Sequence, residues 1–341
     1  MNPINLLILS LVYVITSFII TLLVLKISIK NNLFDIPNSR SSHTIPKPKG
    51  GGIGIIIPLA TTVLILFSNE MISVEITKSI VIGLIFITTI GLIDDYHNLS
   101  ASIRIIAYLV GSGFSLHLIG GLEFVSINEN TFYLGNIGYF FGVIFLVWLT
   151  NLYNFMDGTD GFAAIQTICV SLFCFFLFFL SENLPFYIIM LCMASTTIGF
   201  LYWNWAPAKI FMGDAGSCTI GFLFGLFCIY TENEEIISIT VWAILLAPFI
   251  GDATFTLLKR IANSARWYEA HNSHAYQKLY QHGFSHNQLA LGLFAANIFL
   301  IWPLGYFAYT YEKYELLMLV LTYILTVITW FIIQYKYRKI T

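Results

Sequence analysis

Long apolar runs alternate with short polar segments along the whole chain. Runs of about 17–25 apolar residues are long enough to cross a bilayer as helices; several runs here are shorter, which indicates helices that end in a wet cavity at one face. We expect an all-α polytopic membrane protein, built as a single domain over residues 1–341, with about eleven transmembrane helices around a cytoplasm-facing cleft. The predicted spans are residues 4–25, 53–68, 79–93, 104–119, 136–150, 162–180, 185–202, 218–230, 236–256, 288–310 and 316–335.

Composition and charge agree with lipid as the solvent. Hydrophobic residues make up 58% of the chain and charged residues 10%, against roughly 45–50% and about 25% in soluble domains. Fourteen of the sixteen Lys and Arg fall in alternate loops and the C-terminal tail, the exceptions being Lys78 and Lys313. The positive-inside rule makes those loops cytoplasmic, with the N-terminus outside and the C-terminus inside. Among the short, acidic outer loops, 122-LEFVSINENTFYLGN-136 alternates around a polar centre and predicts a small extracytoplasmic β-hairpin.

The acidic residues are sorted by side. All seven aspartates fall in or beside the cytoplasmic loops, whereas ten of the eleven glutamates lie in the outer set and only Glu269 does not. A solvated surface gives no reason to separate two nearly equivalent carboxylates, but a site that needs short, rigid carboxylates at a membrane face does. The aspartates are Asp35, Asp94, Asp95, Asp157, Asp160, Asp214 and Asp252.

Two adjacent carboxylates follow an apolar span in 91-GLIDDYHNLSASIR-104. Asp94 and Asp95 repel each other unless a cation neutralises them or one takes a proton, and a charge near hydrocarbon costs roughly 2.5–3.5 kcal/mol on insertion scales. A divalent metal or a raised pKa resolves the conflict, and both are catalytic devices. The alternative is a cap for the helix that starts near Ser102. Arg104, just inside that helix, is placed to meet a phosphate.

Two further cytoplasmic segments concentrate polar side chains. In 151-NLYNFMDGTDGFA-163, a glycine follows each of Asp157 and Asp160, which lets both carboxylates turn into one cavity with Asn154; a plain turn needs only one such pair. In 202-YWNWAPAKIFMGDAGS-217, Asp214 suits either a helix N-cap or a hard oxygen ligand for Mg²⁺. Asn204 and Phe211 in the same segment have the chemistry for a flat, hydrogen-bonding ring such as uracil.

The first and last cytoplasmic loops are basic. In 35-DIPNSRSSHTIPKPKGGGIGI-55, the Gly triplet before a helix is compatible with a phosphate-facing loop, and equally with a basic anchor followed by a turn. The last loop, 252–286, holds four histidines with Lys and Arg. Zinc prefers mixed Cys and His ligands, and no Cys is cytoplasmic, so a phosphate is the expected partner of this loop, including His271. His282 and His286 are assigned to a solvated face.

These five loops together resemble the polyprenyl-phosphate N-acetylhexosamine-1-phosphate transferase family, which belongs to glycosyltransferase family 4. The resemblance is carried, in family order, by Asp35 with 40-RSSH-43, the Asp94–Asp95 pair, 151-NLYNFMDGTDG-161, 211-FMGDAGS-217 and the histidine loop. One segment departs from the family pattern, because 274-HAYQ-277 stands where better-known members have a His-x-His-His motif. The longer string 270-AHNSHAYQKL-279 resembles the branch that starts O-antigen or capsule repeat units, so the donor sugar is left open.

The resemblance implies a cytoplasmic active site in a bacterial inner membrane protein that moves a sugar-1-phosphate from a UDP-N-acetylhexosamine to undecaprenyl phosphate. It implies Mg²⁺, with Mn²⁺ as an alternative, and no nucleic-acid partner; a homodimer is left open. It further implies that Asp214 is a metal ligand, and that Asp94 and Asp95 serve the lipid phosphate and the metal. Asn154, Asp157 and His274 are expected beside the diphosphate, and Asp160, Asn204 and Phe211 beside the uridine. Lys49 and Arg104 are expected to make other phosphate contacts.

Two alternatives stay open at this point. Asp157 is chemically able to act as a covalent nucleophile in a two-step route. A cation-coupled transporter is the competing class of protein, because intramembrane carboxylates often mark ion paths. A transporter needs polar groups near the bilayer midplane, whereas here the mid-span positions are apolar and the polar residues gather at one face.

Overall fold

The computed structural model of this chain describes residues 2–37, 42–263 and 271–337. Arg40 and Ser41 of the first loop, and Glu269 and Ala270 of the last, lie outside the described residues. The helices are α1 (Pro3–Lys30), α2 (Ile53–Ser68), α3 (Val74–His97), α4 (Ala101–Leu118), α5 (Asn136–Phe155), α6 (Phe162–Leu180), α7 (Leu184–Asn204), α8 (Asp214–Asn233), α9 (Ile239–Leu245), α10 (Ala247–Ala262), α11 (Ala275–Gln281), α12 (His286–Ala296), α13 (Trp302–Thr310) and α14 (Glu315–Lys336).

Every predicted span is helical, and the all-α polytopic fold is confirmed. Within the described ranges, nine helical stretches are long and apolar enough to cross a membrane, and the pair α9–α10 makes ten if it counts as one span. The eleventh predicted span is α2, which has only 16 residues. The predicted span 288–310 consists of α12, a π-helical turn at Asn297–Ile301 and α13.

The predicted span 236–256 is broken, because α9 and α10 meet at 79°. Pro248 in the first turn of α10 has no N–H to continue the ladder of α9. Gln166 Nε2 of α6 donates to the Leu245 carbonyl over 3.0 Å, and Asn297 Nδ2 donates to Gln166 Oε1 over 2.8 Å. The expectation that the spans are apolar throughout is therefore wrong at Gln166 and Asn297. These two buried amides stabilise the break after which α10 turns toward the last loop.

Helix α8 forms the centre of the bundle and is almost entirely buried, whereas α1 and α14 expose most of their surface. Glycines let the backbone at the N-terminal end of α8 lie directly against the backbones of α2 and α3. A Cβ on Gly52 would overlap the Gly216 backbone, and a Cβ on Gly91 would overlap the backbone of Ala215. The N-terminal ends of α2 and α8, and the end of α3, are therefore packed without intervening side chains.

Two short antiparallel strand pairs lie among the described residues. The predicted hairpin is confirmed as β3 (Phe124–Ile127) and β4 (Asn130–Tyr133), with Asn128 and Glu129 at φ +50° and +66° in its turn. The other pair, β1 (Phe34–Asp35) with β2 (Lys47–Pro48), was not predicted. It joins the segment after α1 to the segment that leads into α2.

Candidate active site

Two polar cavities lie at opposite ends of the bundle, and each contains one kind of carboxylate. One cavity, of about 410 Å³, lies beside the β3–β4 hairpin and is lined by Glu129, Glu232, Glu235, Glu312 and Glu315. The other cavity, of about 360 Å³, is lined by Asp35, Asp95, Asp157, Asp160 and Asp214. The sorting of aspartate and glutamate in the sequence therefore corresponds to two separate sites in the fold.

Asp95 holds the start of α8. Its carboxylate accepts hydrogen bonds from the backbone N–H of Asp214 (3.2 Å) and Ala215 (3.3 Å), and Lys49 Nζ lies 3.5 Å away. The carboxylate thus meets the positive end of the helix dipole. Gly213, at φ +76°, is the N-cap, so the cap interpretation of Asp214 is wrong. Because Asp95 caps the helix, the Asp214 carboxylate remains at the cavity, with 27% of its side chain exposed.

Arg104 joins two carboxylates. Its Nη1 lies 2.7 Å from Asp94 Oδ2 and 3.6 Å from Asp214 Oδ2. Asp94 also accepts a hydrogen bond from Leu99 N over 2.6 Å. The cap interpretation of the aspartate pair is wrong as well, since Ser100 caps α4 and both aspartates lie within the last turns of α3.

The 151–163 segment meets the same cluster. Asn154 Nδ2 donates to Asp214 Oδ1 over 2.8 Å and to Ser217 Oγ over 3.0 Å. Asp157 lines the cavity, and burial raises the pKa of its carboxyl well above the ordinary value, with a further contribution from the charges of Asp95 and Asp160. Within the described residues, the Asp157 carboxyl is thus buried near two other carboxylates and forms no ion pair with a Lys, Arg or His.

Asp160 has the opposite environment. Its Oδ2 accepts a hydrogen bond from Ala208 N over 2.9 Å, and His286 Nδ1 lies 3.2 Å away. Although burial favours the neutral acid, these contacts and the positive charge of Lys47 lower the pKa of the Asp160 carboxyl. The expectation of a solvated face is therefore wrong for His286, which packs edge-on against Tyr280, whereas His282 is exposed.

The residues predicted to contact uridine line one wall of the cavity. Asn204 is buried and both ends of its amide are engaged, since Oδ1 accepts from Gly161 N and Nδ2 donates to Ile210 O, each over 3.0 Å. Asn204 therefore shapes the wall by joining two backbone segments. Phe211 remains available as a flat surface, with the His43 ring edge-on at 4.9 Å.

The Gly triplet serves packing in this structure. Gly51 N donates to Phe211 O and Gly52 N to Met212 O, each over 2.9 Å. These two N–H groups are thus occupied by the segment that leads into α8, and a phosphate contact made by this loop stays a prediction. The positive charge at this wall comes from Lys49, which lines the cavity.

The last loop covers the cavity from the other side. Tyr276 is buried, its hydroxyl donates to Phe155 O over 2.9 Å, and its ring stacks on Phe162. Burial lowers the pKa of His271 to about 4, helped by the neighbouring His274 and Arg260. His271 is therefore a neutral ring near pH 7, able to donate a single hydrogen bond to a phosphate.

An apolar groove of about 410 Å³ begins beside the aspartate cavity. Asn154, Phe155 and His271 line both spaces. Arg104 and His274 also line the groove, whose walls come from α4, α5 and α10. The apolar wall residues are Ile105, Leu109, Ile144, Val147, Trp148 and Leu257.

The donor set suits a hard divalent cation. Asp94, Asp95 and Asp214 share two cations, Lys49 and Arg104, in the contacts described above. Within the described part of the chain, no three His, Cys, Asp or Glu side chains already stand in metal-holding geometry. Mg²⁺ does not need such a set, because it usually takes one or two carboxylates together with waters and substrate phosphates. Asp214, partly exposed among excess carboxylates, therefore fits the implied metal.

Comparisons with known proteins show the family of this chain. Residues 77–232 match the family model of glycosyl transferase family 4. The chain is 31% identical over 292 residues to the probable undecaprenyl-phosphate N-acetylglucosaminyl 1-phosphate transferase of Bacillus subtilis (strain 168), across 83% of this chain and 79% of that protein. It is 27% identical over 226 residues to the phospho-N-acetylmuramoyl-pentapeptide-transferase of Orientia tsutsugamushi (strain Ikeda), across 55% and 60% of the two chains. The Wolbachia pipientis wMel protein of the same name is 31% identical over 215 residues, across 58% and 65%.

The chain thus belongs to glycosyl transferase family 4. It is a multi-pass membrane enzyme of the sugar-phosphate transferase class. The matched segment 77–232 contains both α3 aspartates and Asp214, whereas the loop between α1 and α2 and the loop after α10 lie outside it. The match to the two pentapeptide-transferases spans less than two thirds of their length.

Proposed function

We propose that this protein transfers an N-acetylhexosamine-1-phosphate from a UDP-sugar to undecaprenyl phosphate. The products are UMP and an undecaprenyl-diphosphate-sugar that starts a cell-surface polysaccharide such as an O-antigen. The observation that carries the proposal is the junction of a polar, aspartate-lined cavity with an apolar groove across Asn154, Phe155 and His271. A water-soluble donor and a lipid acceptor need two such spaces with a common border.

The reaction needs little base help. An oxygen of the lipid phosphate forms a bond to the β-phosphorus of the donor, the bond from that phosphorus to the bridging oxygen breaks, and UMP leaves with the electron pair. A phosphate monoester has a second pKa of about 6, so the acceptor is already mostly ionised near pH 7. Positioning and neutralisation of charge therefore dominate the catalysis.

The chain supplies that positioning from three directions. Arg104 lies at the mouth of the groove, where it can hold the acceptor phosphate while remaining paired with Asp94. Lys49 lines the opposite wall beside Asp95. A magnesium ion bound at Asp214 would supply a Lewis acid that neutralises charge on the phosphate oxygens. His274 would steady the diphosphate at the groove side.

The orientation proposed for the enzyme is the one the loop charges favour. The aspartate cavity lies at the end of the bundle that includes the basic first loop, with Lys47 and Lys49 in β2 and beside it. The positive-inside rule puts this end in the cytoplasm, where UDP-sugars are made, and the N-terminus outside. The corresponding membrane is the bacterial inner membrane.

The test is UMP release by the purified enzyme in lipid nanodiscs. We expect release from a UDP-N-acetylhexosamine only when undecaprenyl phosphate and Mg²⁺ are both present, with loss on chelation and recovery when Mg²⁺ or Mn²⁺ is restored. The Asp214→Asn variant should lose most of the rate, and Asn183→Ala, which alters a helix cap on α7, should not. Cation uptake into proteoliposomes without UMP release would support a transporter instead.

A donor panel identifies the sugar. Gln277 lines the aspartate cavity close to Gly158, and it is one of the two positions, with Tyr276, at which this sequence departs from the His-x-His-His pattern. We expect Gln277→His to change the ratio of kcat/KM between donors that differ in the N-acetylated sugar. An unchanged ratio would remove this loop as the determinant of donor choice.

A further inference from the structure

Asp252 lies outside the aspartate cavity, on α10 just after the break from α9. Its carboxylate is the acceptor for several groups of the last loop and its own helix. Oδ1 accepts from Ala275 N over 2.8 Å and from Thr256 Oγ1 over 3.0 Å, and Oδ2 accepts from Tyr276 N over 3.2 Å. Asp252 thus fixes the start of α11 to α10.

The histidine that begins this turn has an incomplete environment. His274 is 3% exposed; its side chain faces the backbone N–H of Gln277 in a capping-box arrangement, but its Nδ1 makes no hydrogen bond of ordinary geometry among the described residues. Among the described residues, the carboxylate beside this nitrogen is that of Asp252, whose Oδ1 lies 3.6 Å away. This distance is longer than a hydrogen bond, and the same ring lines the apolar groove beside Arg104 and Asn154.

A carboxylate beside one ring nitrogen decides what the other nitrogen offers. When Nδ1–H donates to a carboxylate, the tautomer and the ring plane are fixed, and Nε2 is left to act on a ligand. Catalytic hydrogen bonds are often long in unliganded enzymes and shorten when the substrate binds. The separation of 3.6 Å between His274 and Asp252 is of that kind.

We propose that Asp252 is a positioning residue of the transfer reaction: it anchors the start of α11 and accepts the Nδ1–H of His274, so that Nε2 faces the diphosphate. The proposal rests on the proposed function. Asp252 does not touch the substrate in this account, and its effect on the rate passes through His274.

The experiment is a double-mutant cycle of UMP release with Asp252→Asn, His274→Asn and the double variant. Asp252→Asn should lower kcat about 10- to 100-fold, the range seen when a partner that orients a functional histidine is lost, and change KM for the UDP-sugar much less. In the His274→Asn background, Asp252→Asn should cost at most about twofold more. Asp252→Glu, which restores the charge, should recover part of kcat.

The matched control is Glu232→Gln. Glu232 is a buried carboxylate that accepts two backbone N–H groups, from Ser126 and Ile239, and holds the start of α9 at the opposite end of the bundle. If loss of such a carboxylate acts only through the stability of the fold, Glu232→Gln and Asp252→Asn should lower the melting temperature and the activity alike. We expect only Asp252→Asn to lower kcat beyond its effect on folding.

Two results would overturn the proposal while leaving the proposed function intact, and both require that the wild-type enzyme is active. In the first, the losses in kcat are fully additive in the double variant. In the second, Asp252→Asn leaves kcat unchanged. An inactive wild type would instead count against the proposed function. If Asp252→Asn does not fold, ¹⁵N NMR of histidine-labelled wild type, assigned with His274→Asn, gives the same answer. The expected signal is a proton on Nδ1 of His274, and a bare Nδ1 would contradict the inference.

Discussion

Asn154 donates a hydrogen bond from Nδ2 to Oδ1 of Asp214 over 2.8 Å, and so connects the end of α5 to the residue best placed to bind a metal. An amide in this position orients the carboxylate without adding charge. Removing such an orienting partner typically weakens metal affinity by about 10- to 100-fold. We therefore expect Asn154→Ala to raise the Mg²⁺ concentration that gives half-maximal UMP release by about tenfold or more.

The measurement is a Mg²⁺ titration of the initial rate at saturating donor. Asn183→Ala is the control, because it also removes a hydrogen-bonding amide from a helix terminus but at the opposite end of the bundle. A normal Mg²⁺ requirement in Asn154→Ala, with a lower plateau, would show that Asn154 acts on the substrate and not through Asp214.

His286 and His282 provide a pair of variants within one short segment. His286 lies against Asp160, whereas His282 is exposed. His286→Asn removes a partner from a buried carboxylate, which costs about 1–3 kcal/mol of stability, and loosens the wall where uridine is proposed to bind. We expect a lower melting temperature and a several-fold higher KM for the UDP-sugar.

His282→Asn should change both quantities little. Equal effects of the two variants, or none from His286→Asn, would return His286 to the solvated face that its sequence context indicates.

The sequence supported the membrane fold well and the details of polar contacts poorly. Apolar runs predicted where the long helices lie, because burial in lipid depends on residue type over about 20 positions. The break after Leu245 was missed because it depends on Pro248 in combination with the distant amides of Gln166 and Asn297. Contacts between residues far apart in sequence leave no local pattern.

The same reason explains why membership of the polar cluster was predictable for some site residues while their individual contacts were not. Asp95 and Asp214 are predictable as members of a polar cluster, since each interrupts an apolar region. Which of them caps α8 depends on how closely α3 and α8 approach, and that is decided by Gly91 against the Ala215 backbone. His286 was misjudged because its partner Asp160 is 126 residues away.

The low pKa of His271 predicts that the free energy of unfolding depends on pH under acidic conditions. Its folded value is about 4 against an ordinary 6.5, so the unfolded chain takes up a proton in this interval that the folded chain does not. The free energy of unfolding therefore falls as the pH drops from about 6.5 toward 4, and this contribution is fully present above that interval.

We expect the melting temperature of the wild type to decline over this range and the decline to be smaller in His271→Asn. Thermal unfolding of both proteins in nanodiscs between pH 4 and 8 checks this. A slope unchanged in His271→Asn would assign the acid sensitivity to other groups.

Asp157 allows the one-step and two-step routes to be separated. A covalent route needs an ionised nucleophile, and burial holds the pKa of this carboxyl well above its ordinary value. We expect no exchange of labelled UMP into the UDP-sugar in the absence of the lipid acceptor, and no phosphorylated enzyme in the wild type or in Asp157→Asn. Exchange that disappears in Asp157→Asn would establish the covalent route.

The direct contact between Gly52 and Gly216 has a mechanical consequence. No side chain lies between them that could be compressed. The start of α2 and the start of α8 therefore cannot slide past each other without separating, and this side of the cavity is rigid. The opposite side of the cavity is held in place by Asp252 and the seven-residue helix α11. Adjustment to donors of different bulk therefore falls to the α10–α11 side, and substitutions that alter substrate range should accumulate there.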